Sequence, residues 1–394
     1  MERTLETVAP QPEIVQEIKA AGGAVLDYCY QCGKCDVVCP WNRVRSFSIR
    51  KVIRQAAFGL PEIDQDDVWR CTTCGTCPAE CPRGVDQIKL GVAVRRVATL
   101  YDVFPASARG VRSAGQSLRS DGNPLGNERC ARDAWANGLG VKLHAEGMEV
   151  LYFVGCYGSY DPRMQRVAVA TVNLLQRAGV QFGMLGKEES CCGESIRKTG
   201  DEEAFKLLAR ENIKAFIDRG VKRILVSSPH CYHTFVNEYP EFMVHFEVVH
   251  VSQFISELIA AGRLELKGRV ARKITWHDPC YLGRHNGVYE QPREVLKKIP
   301  GIQLTEMSEN RKNSLCCGGG GGRIWMETPK GERFSDIRLA QAKDTGAEVL
   351  VTSCPYCISN FEDSRLTLGE DQTPRVQDIA EIVLESVQGG GGVP

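Results

Sequence analysis

The chain contains two closely similar stretches, CYQCGKCDVVCP at residues 29–40 and CTTCGTCPAECP at residues 71–82. Both have the spacing Cys-x-x-Cys-x-x-Cys-x-x-x-Cys-Pro. A cysteine used only as a small apolar side chain needs no fixed spacing to its neighbours. Two runs of this kind are instead typical of thiolates that bind [4Fe–4S] clusters. We therefore expect residues 1–104 to form a small α-helical domain around two such clusters.

The closing cysteine of each run is expected to serve the opposite cluster. In bacterial ferredoxins with two clusters, the fourth cysteine of such a run binds the other cluster. The expected ligands of the first cluster are Cys29, Cys32, Cys35 and Cys81. The expected ligands of the second cluster are Cys71, Cys74, Cys77 and Cys39. Apolar residues at helical spacing predict helices at residues 43–58 and 85–100.

The charge balance argues against a general affinity for nucleic acid. Lys and Arg together number 49, as do Asp and Glu, so the formal net charge is +0. No stretch approaches the ~20 apolar residues of a membrane span, and residues 1–22 are too polar for a signal peptide. Eighteen cysteines without an export signal indicate metal ligation in a reducing compartment. We expect a cytoplasmic protein whose association with the inner face of a membrane, if any, is made through a partner.

Basic side chains cluster between the two cysteine runs, at Arg43, Arg45, Arg50, Lys51 and Arg54. A solvated helix face is the simpler interpretation of this cluster. A docking patch for an acidic partner is the alternative interpretation.

From residue 148 onward, strands alternate with helices, which predicts parallel sheets built from βαβ units. Strands are predicted at residues 149–154, 223–227, 273–277 and 348–352. Helices are predicted at residues 163–178, 201–219, 252–261, 327–345 and 375–387. The expected fold is therefore α+β and multidomain. After the domain at 1–104 we expect a linker or irregular covering segment at 105–147, α/β domains at 148–262 and 263–388, and a disordered tail at 389–394.

The two α/β domains repeat one pattern of cysteines. The first copy has Cys156, then Cys191-Cys192-Gly193, then Ser228-Pro-His-Cys231. The second copy has Cys280, then Cys316-Cys317-Gly318, then Cys354-Pro-Tyr-Cys357. The single cysteine and the pair lie 35 positions apart in the first copy and 36 in the second. Such agreement between two unrelated loops would be rare, so we infer an internal duplication.

The cysteines of both copies lie where α/β folds bind ligands. Cys156, Cys231, Cys280 and Cys354 each follow the carboxyl end of a predicted strand, where open sheets form their binding crevice. The run Gly318–Gly322 would let the backbone approach a bulky cluster, since glycine has no Cβ. A phosphate-binding loop is the alternative, but no Lys-Ser or Lys-Thr follows the run. Among the eighteen cysteines, Cys130 alone has no such position, and we expect it to be a plain thiol.

These motifs resemble those of the heterodisulfide reductase family. The first cysteine run resembles the C-type subunit, the two Cys-Cys-Gly repeats resemble the B-type subunit, and their fusion resembles the D-type subunit and its bacterial relatives. The resemblance implies that five cysteines of the second copy hold a noncubane [4Fe–4S] cluster and form the catalytic set: Cys280, Cys316, Cys317, Cys354 and Cys357. Ser228 replaces one cysteine in the first copy. The remaining thiols, Cys156, Cys191, Cys192 and Cys231, suit either a cubane iron–sulfur cluster or tetrahedral zinc.

The expected function is electron transfer, as the iron–sulfur subunit of a heterodisulfide reductase-like complex. Single electrons would pass between the ferredoxin-type clusters and the cluster of the second copy. The alternative is a terminal reductase that acts on a disulfide or a quinone. A third hypothesis is a scaffold that metal ions stabilise and that has no redox activity. The sequence contains no G-x-G-x-x-G fingerprint of a dinucleotide-binding site, so we expect a partner protein to carry out any hydride transfer. The resemblance implies a flavoprotein, an electron-transferring flavoprotein, a benzoyl-CoA reductase-type subunit or a membrane cytochrome as that partner.

Five further side chains lie close to the cysteine motifs in sequence: His230, His233, His277, Arg284 and His285. Hydrogen bonds and positive charge near cluster sulfurs raise reduction potentials, so these groups would tune the clusters. Satisfaction of local backbone groups is the alternative role for each histidine.

Overall fold

The computed structural model describes residues 9–60 and 65–389, so most of the tail predicted at 389–394 lies outside the described residues. The chain forms two compact units. The first contains the described residues up to Ser113 together with Ser195–Glu202 and Gly320–Glu332. The second contains Ala114–Glu194, Glu203–Gly319 and the described residues from Arg333 onward. The two short segments that follow the Cys-Cys-Gly motifs, assigned to the repeats by the sequence, thus belong to the first unit.

The first unit is built from short helices. Their bounds are α1 Pro12–Ile18, α2 Lys34–Val38, α3 Ile49–Ala57, α4 Asp66–Arg70, α5 Thr76–Ala79 and α6 Gln87–Leu100. Polar caps set the start of the two longest helices. The Ser48 hydroxyl accepts from Lys51 N at the start of α3, and the Asp86 carboxylate accepts from Ile88 N at the start of α6. The helix predicted at 43–58 is therefore shorter than expected, whereas that predicted at 85–100 is present almost in full.

Arg95 holds together the parts of the first unit that are distant in sequence. Its Nε donates to Val68 O (3.0 Å) and its Nη2 to Cys71 O (2.9 Å). Its Nη1 donates to Lys198 O (3.0 Å) and to Gly321 O (2.9 Å). The rigid guanidinium fork can satisfy several carbonyl groups at once. One buried side chain thereby joins the second cysteine run to both segments that follow the Cys-Cys-Gly motifs.

The second unit contains two sheets of four strands each. All strand pairs are parallel, as the sequence predicted, but only half of the strands were predicted. The strands are β1 Val150–Phe153, β2 Phe182–Gly183, β3 Arg223–Val226, β4 Glu247–His250, β5 Arg272–Trp276, β6 Ile302–Leu304, β7 Val349–Thr352 and β8 Arg375–Asp378. The first sheet has the order β2-β1-β3-β4, and the second has the matching order β6-β5-β7-β8. The duplication inferred from the cysteines is therefore also a duplication of topology.

The remaining α-helices follow in chain order. Their bounds are α7 Arg109–Asp121, which begins in the first unit, α8 Gly155–Tyr160, α9 Pro162–Arg177, α10 Glu194–Lys198, α11 Glu202–Asp218, α12 Pro229–Asn237, α13 Val251–Ala260, α14 Glu290–Lys298, α15 Phe334–Asp344, α16 Pro355–Leu368 and α17 Ile379–Val387. Helix α10 lies in the first unit except for its first residue, Glu194. One buried apolar cluster contains side chains from both sheets, including Val150 and Trp276, and from α9, α13, α14 and α17. No helix within the described part of the chain is long and apolar enough to span a bilayer.

Three further predicted segments differ from the structure. The helix predicted at 327–345 begins only at Phe334 and ends at Asp344. The helix predicted at 375–387 is a strand followed by a helix, because the Asp378 carboxylate accepts from Ala380 N (2.8 Å) and Glu381 accepts from Asp378 N (2.8 Å). This capping box starts α17 at Ile379. The segment predicted to be irregular, 105–147, contains α7. Its glycines and serines concealed buried apolar residues at helical spacing, among them Val111 and Leu118.

His250 joins β4 to α13 and makes the second unit sensitive to acid. Its Nδ1 accepts from Ser252 N (3.3 Å), and its Nε2 lies 3.3 Å from Ser227 O. Burial lowers the pKa of His250 to about 3, below the value of about 6.5 expected in the unfolded chain. The unfolded state therefore takes up the proton first as the pH falls. Stability is present in full above pH 6.5 and declines toward pH 3.

We expect the opening free energy of β4 and α13 to fall by about 1.4 kcal/mol from pH 7.5 to pH 5.5 through this histidine. In His250→Asn, asparagine can still cap α13 but does not titrate, so this part of the decline should be absent. Native-state hydrogen exchange at both pH values measures it. An equal decline in the variant and the wild type would contradict the assignment.

Candidate functional site

The structure brings the first crossed set of cysteines together. Cys29, Cys32, Cys35 and Cys81 line one pocket in the first unit. The chain turns around this pocket through Gln31, whose φ of 63° lies in the left-handed region. Burial and the charges of neighbouring groups raise the pKa of Cys35 to about 12. Ionised thiolates there need a compensating cation, so the pocket has the chemistry expected of an iron–sulfur site.

The second crossed set lines another pocket in the same unit, with Cys71, Cys74, Cys77 and Cys39. Burial, followed by the charges of Cys71 and Cys74, raises the pKa of Cys77 well above its usual range. The pocket is also lined by Trp41, whose Nε1 donates to Arg70 O (2.7 Å) just before the second run. This set likewise needs a cation to become fully ionised.

All five cysteines of the second repeat converge at one place in the second unit. Cys280 and Cys354 follow β5 and β7, the neighbouring strands from which the chain crosses to opposite edges of the sheet. That position is the switch point at which α/β folds bind ligands. Side-chain hydrogen bonds link Cys280 to Cys316 and Cys354 to Cys357. The Sγ atoms of Cys357 and Cys317 lie 3.3 Å apart, which completes a buried cradle of five thiols.

The first repeat forms the corresponding cradle with four thiols. Side-chain hydrogen bonds connect Cys156, Cys191, Cys192 and Cys231 in that order. Ser228 hydrogen-bonds to Cys231, so the serine lies beside the thiols. Within residues 9–60 and 65–389, no three cysteine, histidine or acidic side chains are grouped closely enough to hold a single metal ion. The first repeat thus offers four thiols and one hydroxyl.

A buried ion pair that sequence reasoning missed lies beside the first-repeat cradle. Arg132 Nη2 is 2.8 Å from Glu189 Oε1 and 3.6 Å from Cys156 Sγ. Glu189 also accepts from Val154 N (3.1 Å) and Gly155 N (2.9 Å) at the end of β1. Although burial opposes the charge, Cys156 and Glu189 raise the pKa of Arg132. Arg132 lies in the segment that the sequence predicts to be a linker. A single arginine there shows no sequence pattern that would indicate a buried ion pair.

The first repeat also contributes a histidine to the second-repeat cradle. His230 is buried, its Nδ1 lies 3.1 Å from Glu194 Oε2, and its ring hydrogen-bonds to Cys354. The ring stacks on Tyr281 and packs against Tyr356, with centroid distances of 4.1 and 4.4 Å. Burial opposes protonation, yet Glu194 and Cys354 together raise the pKa of His230 to about 10. The contacts with Glu194 and Cys354 therefore favour the protonated form of His230.

The other predicted neighbours have different surroundings. Arg338 Nε donates to His277 Nδ1 (3.1 Å), and burial and the charges of Arg338 and Arg284 lower the pKa of His277. Arg284 donates to Ser314 O (2.5 Å), and its charge favours the thiolate of Cys280. The rings of His233 and His285 lie 5.1 Å apart. Cys130, expected to be a plain thiol, is exposed.

Known protein families match the modules of this chain. A model described as a 4Fe-4S dicluster domain matches residues 25–85, and one described as a cysteine-rich domain, CCG, matches residues 150–236 and 274–362. The D-type subunit of dihydromethanophenazine:CoB–CoM heterodisulfide reductase from Methanosarcina barkeri is 31% identical over 395 residues, covering 92% of this chain and 94% of that protein. The chain belongs to the family of heterodisulfide reductase D-type subunits. Its modules are accordingly a 4Fe-4S dicluster domain and two CCG domains.

Other relatives are longer or more distant. The EtfAB:quinone oxidoreductase of Syntrophomonas wolfei is 35% identical over 341 residues, covering 83% of this chain but 47% of that protein. The chain thus spans about half the length of some of the curated relatives it matches. A crystal structure of a hypothetical protein from Helicobacter pylori shares the fold, with a TM-score of 0.51 and 11% identity over 98% of this chain and 74% of that one.

The crossed grouping of thiols makes a prediction about cluster loss. Cys81→Ala and Cys29→Ala should abolish the same cubane signal in electron paramagnetic resonance (EPR), whereas Cys39→Ala should abolish the other. Cys130→Ala is the control, because its exposed thiol lines neither pocket. Iron content should fall by about four atoms in each ligand variant and stay unchanged in the control. Loss of different signals in Cys81→Ala and Cys29→Ala would exclude the crossed arrangement.

The contact between His230 and Cys354 makes a second prediction. His230→Phe keeps a ring between Tyr281 and Tyr356 but removes a hydrogen bond and positive charge, which favour the reduced form of a cluster. The reduction potential of the second-repeat cluster should therefore fall in an EPR-monitored titration, with the cubane potentials unchanged. His245→Phe, at an exposed position, should leave every potential unaltered. An unchanged second-repeat potential in His230→Phe would refute the tuning role.

Proposed function

We propose that this chain relays single electrons between two ferredoxin-type clusters and the cluster of its second CCG domain, as a subunit of a larger redox complex. The two crossed sets of four cysteines would hold cubane [4Fe–4S] clusters, and the five thiols of the second repeat would hold a noncubane [4Fe–4S] cluster. The four thiols of the first repeat would hold a cubane cluster; the zinc alternative is disfavoured, since among the described residues no three cysteine, histidine or acidic side chains are grouped closely enough for a single metal ion. Bound clusters supply one-electron redox chemistry, and the protein positions them, desolvates them and sets their potentials.

One observation carries this proposal: the glycine run of the second repeat packs against the second ferredoxin-type ligand run. A Cβ on Gly320 would lie 2.4 Å from Thr72 O, and a Cβ on Gly321 would lie 2.4 Å from Cys71 O. Real Cβ atoms do not approach an oxygen so closely, so these positions require glycine. Gly320 is also only three residues beyond Cys317 in the chain, a span of at most about 11 Å when extended. A short stretch of backbone thus links a ligand of one proposed site to the ligand run of another.

Relatives' names guide the choice of partner. The Syntrophomonas relative is named for EtfAB and quinone, and the Methanosarcina relative for a heterodisulfide. We propose an electron-transferring flavoprotein as the redox partner, with another flavoprotein, a benzoyl-CoA reductase-type subunit and a membrane cytochrome as the other members of this class. Each of these proteins would donate electrons to, or accept electrons from, the proposed iron–sulfur clusters, which transfer one electron at a time.

Terminal reduction of a disulfide or a quinone at the second-repeat site is the second candidate. The complete five-thiol cradle and the buried contact of His230 with Glu194 beside it favour this activity. Ser228 weighs against a disulfide-cleaving centre built from two matching cradles, since a serine hydroxyl ionises far less readily than a thiol.

The relay is tested by obstructing the glycine contact. In Gly320→Ala the new methyl group must displace the backbone of Thr72, so electrons entering at the cubanes should reach the second-repeat cluster more slowly. Gly91→Ala is the matched control, since a Cβ there meets no atom within 4 Å. Freeze-quench EPR after mixing with a one-electron reductant follows both sets of signals. If Gly320→Ala with full iron content transfers electrons as fast as Gly91→Ala, this route is wrong.

A further inference from the structure

A basic and partly apolar surface borders the first ferredoxin-type pocket. We call it the Lys51 surface and define it by Tyr30, Cys32, Arg50, Lys51 and Arg54, which line the first pocket or the cleft next to it. An exposed fraction of 59% for Tyr30 shows that its aromatic ring is open to solvent. Cys32 is itself exposed, whereas no cysteine of the second crossed set is. The first pocket therefore contains the most exposed of the eight expected ligands.

Positive charge is concentrated at this surface. Residues 29–58 contain six basic side chains and one acidic side chain in a chain whose overall charge is +0. Arg45 pairs with Glu332 (3.1 Å), and Arg50 Nε lies 3.5 Å from Asp36 Oδ2. Lys51 and Arg54 are exposed, and neither forms an ion pair within residues 9–60 and 65–389. Their charge is available to an incoming group.

The charge lies directly beside the first pocket. Gln31, Ser48, Arg50, Lys51 and Arg54 line one cleft. Arg50 and Gln31 also line the pocket formed by the first crossed set of cysteines. The cleft and the pocket are thus neighbours, with one arginine belonging to both. An acidic group held in the cleft would place whatever carries it next to Cys32.

We propose that the Lys51 surface docks an acidic one-electron carrier protein, whose carboxylates face Arg50, Lys51 and Arg54 and whose cofactor approaches the exposed thiol of Cys32. The proposal rests on the proposed electron-relay function and adds the place and chemistry of the docking contact. An exposed aromatic ring beside a charged rim is typical of a transient protein interface rather than of a small-anion site. In the step the carrier loses one electron and the first ferredoxin-type site gains it. No bond forms or breaks, and no proton moves.

The test compares two charge reversals in the intact, cluster-loaded protein. Lys51→Glu/Arg54→Glu alters the docking surface. Lys297→Glu/Lys298→Glu makes the same change in net charge at two exposed lysines at the end of α14. Reduced flavodoxin serves as the acidic carrier, and stopped-flow absorbance gives the second-order rate of cluster reduction at low and high ionic strength. Benzyl viologen radical serves as a small reductant that needs no docking surface.

For the wild type and the α14 variant we expect fast reduction by flavodoxin that slows at least tenfold at high ionic strength. For Lys51→Glu/Arg54→Glu we expect reduction at least tenfold slower at low ionic strength, with little further dependence on salt. All three proteins should be reduced equally fast by the viologen, which shows that the clusters are intact.

Equal rates and equal salt dependence in the two charge-reversed proteins would overturn the docking proposal, as would a wild type that only the viologen reduces. The relay proposal fails separately, if flavodoxin reduces the cubane signals but the second-repeat signal never follows. A third outcome separates the two proposals. If the viologen drives electrons to the second-repeat cluster while Lys51→Glu/Arg54→Glu leaves the rate of reduction by flavodoxin unchanged, the docking proposal is wrong and the relay proposal stands.

Discussion

Buried thiols that lie against one another cannot all ionise unless a cation compensates them, and the structure is organised around this constraint. Burial and neighbouring thiols raise the pKa of Cys77 in the first unit. In the second unit, the hydrogen bond to Cys316 and burial do the same for Cys280. Basic side chains lie beside each CCG cradle: Arg132 at the first, and His230 and Arg284 at the second. The iron–sulfur clusters that we propose for these sites would supply the remaining positive charge, and so many buried cysteines are consistent with that proposal.

The duplication of the CCG domain has led to a division of roles rather than to two equal sites. The two sheets share one strand order, and both place thiols at the same switch point. The first repeat has lost one thiol at Ser228, yet its His230 reaches Cys354 of the second repeat. The residue that corresponds to His230 in the second repeat is Tyr356, and the two rings pack together. The first copy therefore contributes a side chain to the site of the second. This contact supports the view that the two copies function together.

Much of this architecture could be predicted because its signals are local. The four predicted strands occur within one or two residues of their expected bounds, since each is a short apolar run. The shorter strands β2 and β6 were missed because two or three residues carry no periodicity, and β4 was missed because only two valines lie between Glu247 and His250. Strand β8 was merged with the helix that Asp378 starts. Helix α7 was missed because its glycines and serines resemble a linker. Arg95, Arg132 and Glu194 were missed because a single charged residue has no pattern that reveals a buried partner distant in sequence.

The sequence by itself determined the thiol sets, the duplication, the parallel fold and the family, since each depends on spacing along the chain. Only the tertiary structure decided which distant groups act on those thiols. It brought the crossed cysteines into common pockets, packed Gly320 and Gly321 against the Cys71 run, and left Cys32 exposed beside Lys51. The physical reason is that spacing specifies ligands, which are local, whereas burial, hydrogen bonding and exposure depend on what the folded chain places beside them.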